Sequence, residues 1–141
     1  MPYDEVLEER IRDVLDLQPG LVEKKMFGGV GFMVHGNMAC GVHKDMLIVR
    51  VGPDAYEESL QYPHTRLFDM TGRAMKGWVM VEPGGFESDA DLKQWLQSGL
   101  EFALTLPPKQ IFIIINLKRV QLLLELWFVI ITGKPTAGGK V

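Results

Sequence analysis

A single cysteine stands among the 141 residues. It excludes an internal disulfide and suits a reducing compartment such as the cytoplasm. Positive charge is also scarce: 15 Lys and Arg against 18 Asp and Glu leave a net charge of −3. A dedicated nucleic-acid binder needs clustered cations to neutralise phosphate, so direct nucleic-acid binding is not expected. The opening MPYDEVLEERIRDVL has no basic segment followed by an apolar run, and no signal peptide is expected. There is no G-x-S-x-G elbow and no G-K-[ST] phosphate loop. Internal repeats and low-complexity tracts are missing as well. What is present is one domain's length of chain, enough to bury a real core.

The stretch Lys25 to Val51, KMFGGVGFMVHGNMACGVHKDMLIVRV, reads as three consecutive antiparallel strands. Gly36-Asn37 offers the positive φ that a two-residue hairpin turn needs, and Lys44-Asp45 is a weaker turn signal. Two-residue loops would pair His35 with Met38, Met33 with Cys40, Cys40 with Val49 and His43 with Met46. Side chains alternate across a strand. One face then carries Met33, His35, Met38, Cys40, Val42, Leu47, Val49 and Val51. The other carries Phe32, Val34, Ala39, Gly41, His43, Met46, Ile48 and Arg50. The first is more continuously apolar and is assigned to the core, although a one-residue slip would exchange the two.

Around this stretch the chain alternates helix and strand. Tyr3 to Leu17 has helical apolar spacing, with Asp4 as N-cap and Pro19-Gly20 as stop. Leu21 to Lys24 reads as a connector. Ala55 to Gln61 reads as a short helix, Arg66 to Met70 and Gly77 to Glu82 as two more strands. Ser88 to Asp91 resembles a capping box opening a helix to about Leu106, with Leu92, Trp95, Leu96, Gly99, Leu100 and Ala103 buried. The expected class is α+β: a two-layer α-β-β-β-α-β-β-α domain over residues 1–109 with about five antiparallel strands. Residues 110–141 form an apolar C-terminal extension. Residues 111–132 are long enough to span a bilayer, but two cations and a glutamate near the centre would each cost about 2.5–3.5 kcal/mol. Membrane association is therefore disfavoured against packing on this domain or on a second copy, or against a segment foreign to the domain.

Phe27-Gly28-Gly29-Val30-Gly31 runs into a strand rather than a helix, so a bulge or close backbone approach fits better than a phosphate loop. His35, Cys40 and His43 are metal-ligand types, but in the expected register His43 points away from the other two, and no metal centre is expected. Cys40 reads as a small core residue rather than a nucleophile. Met26, Met33, Met38, Met46, Met70, Met75 and Met80 read as core filler. Lys24, Lys25, Arg50, Arg66, Arg73 and Lys76 surround the sheet; ordinary surface charge is the plain reading, an anion or partner surface beside Trp78 the functional one. The candidate binding set is Lys25, Gly28, Gly29, Arg50, Arg73, Lys76 and Trp78, with no catalytic residue and no cofactor.

The blocks KKMFGGVGF at 24–32 and DMTGRAMKG at 69–77, with Gly36-Asn37-Met38, LIVRVGP at 47–53, Pro63-His64 and Leu106-Pro107-Pro108, resemble the TfoX (Sxy) N-terminal domain family over about residues 2–109. The resemblance implies an α-β3-α-β2-α fold similar to secretion-chaperone-like domains. It also implies a bacterial regulator of competence genes, acting with a cyclic-AMP-responsive transcription activator. It supplies no catalytic residues. The expectation is a non-enzymatic, cytoplasmic regulatory or protein-interaction domain, homodimeric through a sheet edge or the tail, with a protein partner in transcription regulation. The alternative is a small enzyme or ligand-binding domain in which Arg50, with Arg73 or Lys76, holds an anion beside Gly28 or Gly41.

Overall fold

Asp4 opens the first helix, α1 (Glu5–Val14), by accepting the Val6 and Leu7 backbone N–H groups at 2.9 and 3.1 Å. The computed structural model describes residues 3–69, 72–109 and 130. The chain divides into two compact units, Met1–Pro108 and Lys109–Val141. All the readings of segment 111–132, spanning or packing, lie outside the described residues, Ile130 apart.

Six strands follow: β1 (Leu21–Met26), β2 (Gly29–Val34), β3 (Asn37–His43), β4 (Met46–Arg50), β5 (Thr65–Leu67) and β6 (Trp78–Val81). They form one antiparallel sheet in the order β1-β2-β3-β4-β6-β5. The α+β class is as expected, with one strand more than expected. The extra strand is β1, most of which, Leu21 to Lys24, was expected to be a connector. An edge strand tolerates the run Glu23-Lys24-Lys25, and its lysines discourage further pairing.

The second turn falls on His35-Gly36, with φ of +53° and +83°, and not on Gly36-Asn37. Asn37 belongs to β3 instead: it is buried, and its side-chain amide donates to the Pro107 carbonyl at 2.9 Å. The expected pairing across this turn is therefore corrected. Met33 pairs with Met38 and Phe32 with Cys40, which leaves Ala39 as an extra residue, a β-bulge. Beyond the bulge the expected pairs Cys40–Val49 and His43–Met46 hold. The inward face is thus Val30, Phe32 and Val34 on β2, not Met33 and His35. From β3 to the end of β4 it is Cys40, Val42, Leu47, Val49 and the following Val51, as expected, but without Met38, which the bulge turns outward.

The helices cover this inward face. α2 (Tyr56–Ser59) is a single turn, and α3 (Asp89–Leu104) packs on β2, β3 and β4. Ser88 caps α3 by accepting the Asp91 N–H at 3.0 Å. Its buried stripe is Leu92, Trp95, Leu96, Gly99 and Ala103, as the periodicity predicted, with Leu100 half-buried at its side. Gly99 meets the backbone carbonyl of Ala39, so the helix rides directly on the bulge. At the sheet's β1 end, Arg12 clasps the Glu23 carboxylate with two contacts, 2.6 and 2.9 Å, and reaches Glu8 at 3.5 Å. Tyr3 donates its hydroxyl to Glu8 at 3.1 Å.

Two outcomes follow from this packing. Ala at an exposed helix position is worth up to about 1 kcal/mol over Gly, yet Gly99→Ala should destabilise by about 1–3 kcal/mol, because the new Cβ must displace β3 backbone. Chemical denaturation reads this, and a raised midpoint would refute it. The hydrogen bonds and charge of Arg12 hold the Glu23 carboxyl below its ordinary value. A depressed carboxylate stabilises the fold above its unfolded pKa, about 4.3, and that contribution is lost as pH falls through the folded value. Glu23→Gln should therefore lose stability at neutral pH and show a shallower acid decline than the parent in thermal melts between pH 7 and pH 3.

Candidate interaction face

The other face of the sheet points away from the helices, and its pairing places three rows of side chains across it. One row runs Met26, Gly29, His43, Met46. The next runs Lys24, Gly31, Gly41, Ile48, Met80, Arg66. The last brings Val22, Met33 and Met38 on β1 to β3 and Arg50 and Trp78 on β4 and β6. Met26, Met33, Met38 and Met46 are half-buried. These four therefore line an outward surface, which corrects their assignment to the core. Ile48 and Met80 are buried on the same side beneath Phe68, Trp78, Met38 and Met46. Phe68 and Trp78 stack at 5.8 Å. Met75 is exposed, and Met70 lies outside the described residues.

Three glycines make this surface uneven. Gly29 and Gly31 are successive outward positions on β2, and Gly41 stands opposite Gly31 on β3. They floor a trough between the side chains of β1 and those of β4. The methyl ends of Met26 and Met38 lie over it: a Cβ on Gly31 would sit 3.2 and 3.3 Å from them, and one on Gly41 2.7 Å from that of Met38. Gly29 is also pressed against the Val42 carbonyl, the close backbone approach expected of this glycine run. At the trough's upper end the β1–β2 turn holds Phe27 at φ +48° with 82% of its surface exposed. Bulky residues rarely occupy that conformation. Lys24 stands on one wall. Arg50 lies at the other end, its guanidinium carbon 5.1 Å from the Trp78 ring centre and 5.4 Å from that of Phe102. Burial lowers the Arg50 pKa, and no carboxylate pairs with it among the described residues. The outward carboxylate of Glu82 is held by Arg66 at 3.0 Å.

The seven residues chosen from the sequence do not converge. Arg50 and Trp78 pair directly across β4 and β6. Lys25, Gly28 and Gly29 are at the opposite end, around a hollow of about 500 Å³ that Tyr3, Glu5, Met26 and Phe27 complete. Lys25 faces the helix side, opposite Val30. Arg73 and Lys76 are exposed on the β5–β6 connection. A larger hollow of about 760 Å³ lies between α2 and α3, lined by Tyr62, Trp95, Glu58, His64 and Glu101 among others. Arg50 lines neither, so the expected pocket joining Arg50 to Gly28 or Gly41 is not formed by these hollows. The sequence reading missed the trough. Its signal was the glycine pair at 29 and 31, one strand repeat apart.

The metal-ligand types separate too. His35 occupies a turn, with its ring against Gly20, so it does not share a face with Cys40 as the expected register had it. His43 points outward, and Cys40 is fully enclosed in the core. Among the described residues no three His, Cys, Asp or Glu side chains gather as a metal site. Burial pushes the Cys40 thiol up to about 12, whereas reactive thiols are partly exposed and lowered. The folded protein should therefore resist a thiol reagent at pH 8 and react only as fast as it unfolds. Labelling that is complete before denaturant is added would contradict the assignment of Cys40 to the core.

No helix among the described residues is long and apolar enough to cross a membrane. A comparison with curated proteins returns no match. The family model described as TfoX N-terminal domain matches residues 13–103.

Proposed function

This chain belongs to the TfoX N-terminal domain family, and on that premise we propose that it is a non-enzymatic interaction domain that takes part in regulation by binding a protein partner on the outward face of its sheet. The observation that carries the reading is the methionine-lined trough. Helices bury one face of the sheet, while Met26, Met33, Met38 and Met46 remain half-buried on the other. Methionine has an unbranched, polarisable side chain that adapts to different shapes, and it recurs on surfaces that receive partners. Exposed apolar surface of this kind, edged by charge, marks interaction sites. A role in transcription regulation, as the family resemblance implies, is the finer part of the proposal, with the partner a protein of that machinery.

The test places charge on the face without touching the core. Met26→Lys with Met33→Lys, neither of which covers the Ile48–Met80–Phe68 cluster, should melt within a few degrees of the parent and lose the proteins that the parent retains from a lysate of its source cell. Glu57→Lys with Glu58→Lys, on the helix side, should retain them. Equal retention by all three would refute the assignment of the face.

A further inference from the structure

The strands that flank the glycines stand about one helix width apart, and two outward cations beside them, Lys24 and Arg50, have no carboxylate partner among the described residues. The trough's flanking strands, β1 and β4, are separated by the two glycine-bearing strands. Three strand spacings of about 4.8 Å put them roughly 14 Å apart. A helix with its side chains is about 10–12 Å across. Along the strands, from Met33 to the Phe27-Gly28 turn, the trough runs roughly 17 Å at about 3.4 Å per residue, or about three helical turns of 5.4 Å. A single added strand would need the free edge of β1, whose lysines discourage pairing, and it would lie beside the face and not over the glycines, since β2, β3 and β4 are paired on both sides.

Charge selects the kind of helix. On the outward positions of the strands, Lys24 and Arg50 have no partner carboxylate among the described residues, and Arg66 is already paired with Glu82. Arg73 and Lys76 are exposed on the adjoining connection. Nine carboxylates lie on the helices: Glu5, Glu8, Glu9 and Asp13 on α1, Glu57 and Glu58 on α2, and Asp89, Asp91 and Glu101 on α3. Glu5 reaches the hollow beside Met26 and Phe27, and Asp45 lies in the β3–β4 turn, so the carboxylates near this face sit at the end away from Arg50. Desolvated Arg50, stacked on Trp78, gains most from an incoming carboxylate, which would form a charge-assisted hydrogen bond in a partly dry setting.

We propose that the glycine-floored trough receives an acidic amphipathic helix from a partner protein, its apolar stripe laid on Met26, Met33, Met38 and Met46 and its carboxylates on Lys24 and Arg50. This rests on the assignment of the face above and names the chemistry of its occupant. Docking swings the Met38 side chain off Gly31 and Gly41, which its three rotatable bonds permit at small cost. The exposed Phe27 ring, held at the trough's upper end, packs against the end of the helix. The mode is an amphipathic helix laid in a groove, read by anchors at i, i+3/i+4 and i+7.

The probe is a synthetic 14-residue helix with leucine at those anchor positions and glutamate elsewhere, set against the same peptide with lysine for glutamate. Binding is followed by the methyl signals of the methionines in the full chain, labelled with carbon-13. The glutamate peptide should move the signals of Met26, Met33, Met38 and Met46 and leave Met75 in place. The lysine peptide should bind at least tenfold more weakly. Arg50→Gln should weaken the glutamate peptide by about tenfold, and Lys24→Glu, at an exposed edge position, should do the same with an unchanged melting temperature. Equal movement of those four signals by both peptides would overturn the acidic chemistry while keeping the face as an interaction site. Absence of movement with either peptide would overturn the helix, and the lysate comparison of the methionine variants would then decide the face itself. Signals that shift with protein concentration alone would assign the trough to a second copy of the chain and overturn the proposal.

Discussion

The bulge at Ala39 is the constraint on which the rest of this fold depends. A strand without it would send alternate residues of β3 to alternate faces along its whole length. Both Ala39 and Cys40 are fully buried, one on each side of the extra step. Above the step Cys40 and Val42 meet Val30, Phe32, Leu47 and Val49 in the core. Below it Asn37 is buried and tied to Pro107, while Met38 is turned outward. The same step brings the Ala39 carbonyl up to α3, where only a glycine, Gly99, leaves room. One inserted residue therefore sets the depth of the helix, the anchoring of its C-terminal exit and the outward placement of the methionine that covers the trough.

Burial is divided unequally between the two faces. The helix side holds the large core, and its residues are almost wholly enclosed. The outer side has only the small cluster of Ile48, Met80 and Phe68, finished by Trp78 and two half-buried methionines. A tight core of branched residues fixes one packing arrangement. Methionines over glycine do not, since the side chain has many rotamers and the floor offers it no wall. The stable layer and the adaptable layer are thus the two sides of the same strands, and a perturbation on the outer side need not reach the core.

Charge follows the same division. The helices carry nine of the eighteen carboxylates, while the sheet's outward face carries two unpaired cations, Lys24 and Arg50, so the modest net charge of −3 is unevenly spread. Such a separation orients an approaching charged partner before contact and contributes more to the rate and specificity of association than to its final strength. The Arg12–Glu23–Glu8 group on the helix side is a different case: its charges satisfy one another, and they pin the edge strand to α1.

Much of the fold was legible from the sequence by itself. The α+β class, the Asp4 and Ser88 caps, the buried stripe of α3 and the inward face of β3 and β4 follow from periodicity and local hydrogen-bonding chemistry, which short stretches of chain carry. The resemblance to the family was legible too, in two short blocks. Only the tertiary structure decided the rest. A bulge leaves no trace in the alternation of apolar residues when both faces are apolar, so β2 was turned the wrong way. A lysine-rich edge strand looks like a loop until its partner is in place. Methionine is equally at home in a core and on an adaptable surface, and its role at Met26, Met33, Met38 and Met46 was fixed by which face the helices left open. The sequence singled out Arg50 and Trp78 separately, and the register made them neighbours across β4 and β6. The trough exists only because Gly29, Gly31 and Gly41 become neighbours across two strands, which is a matter of register.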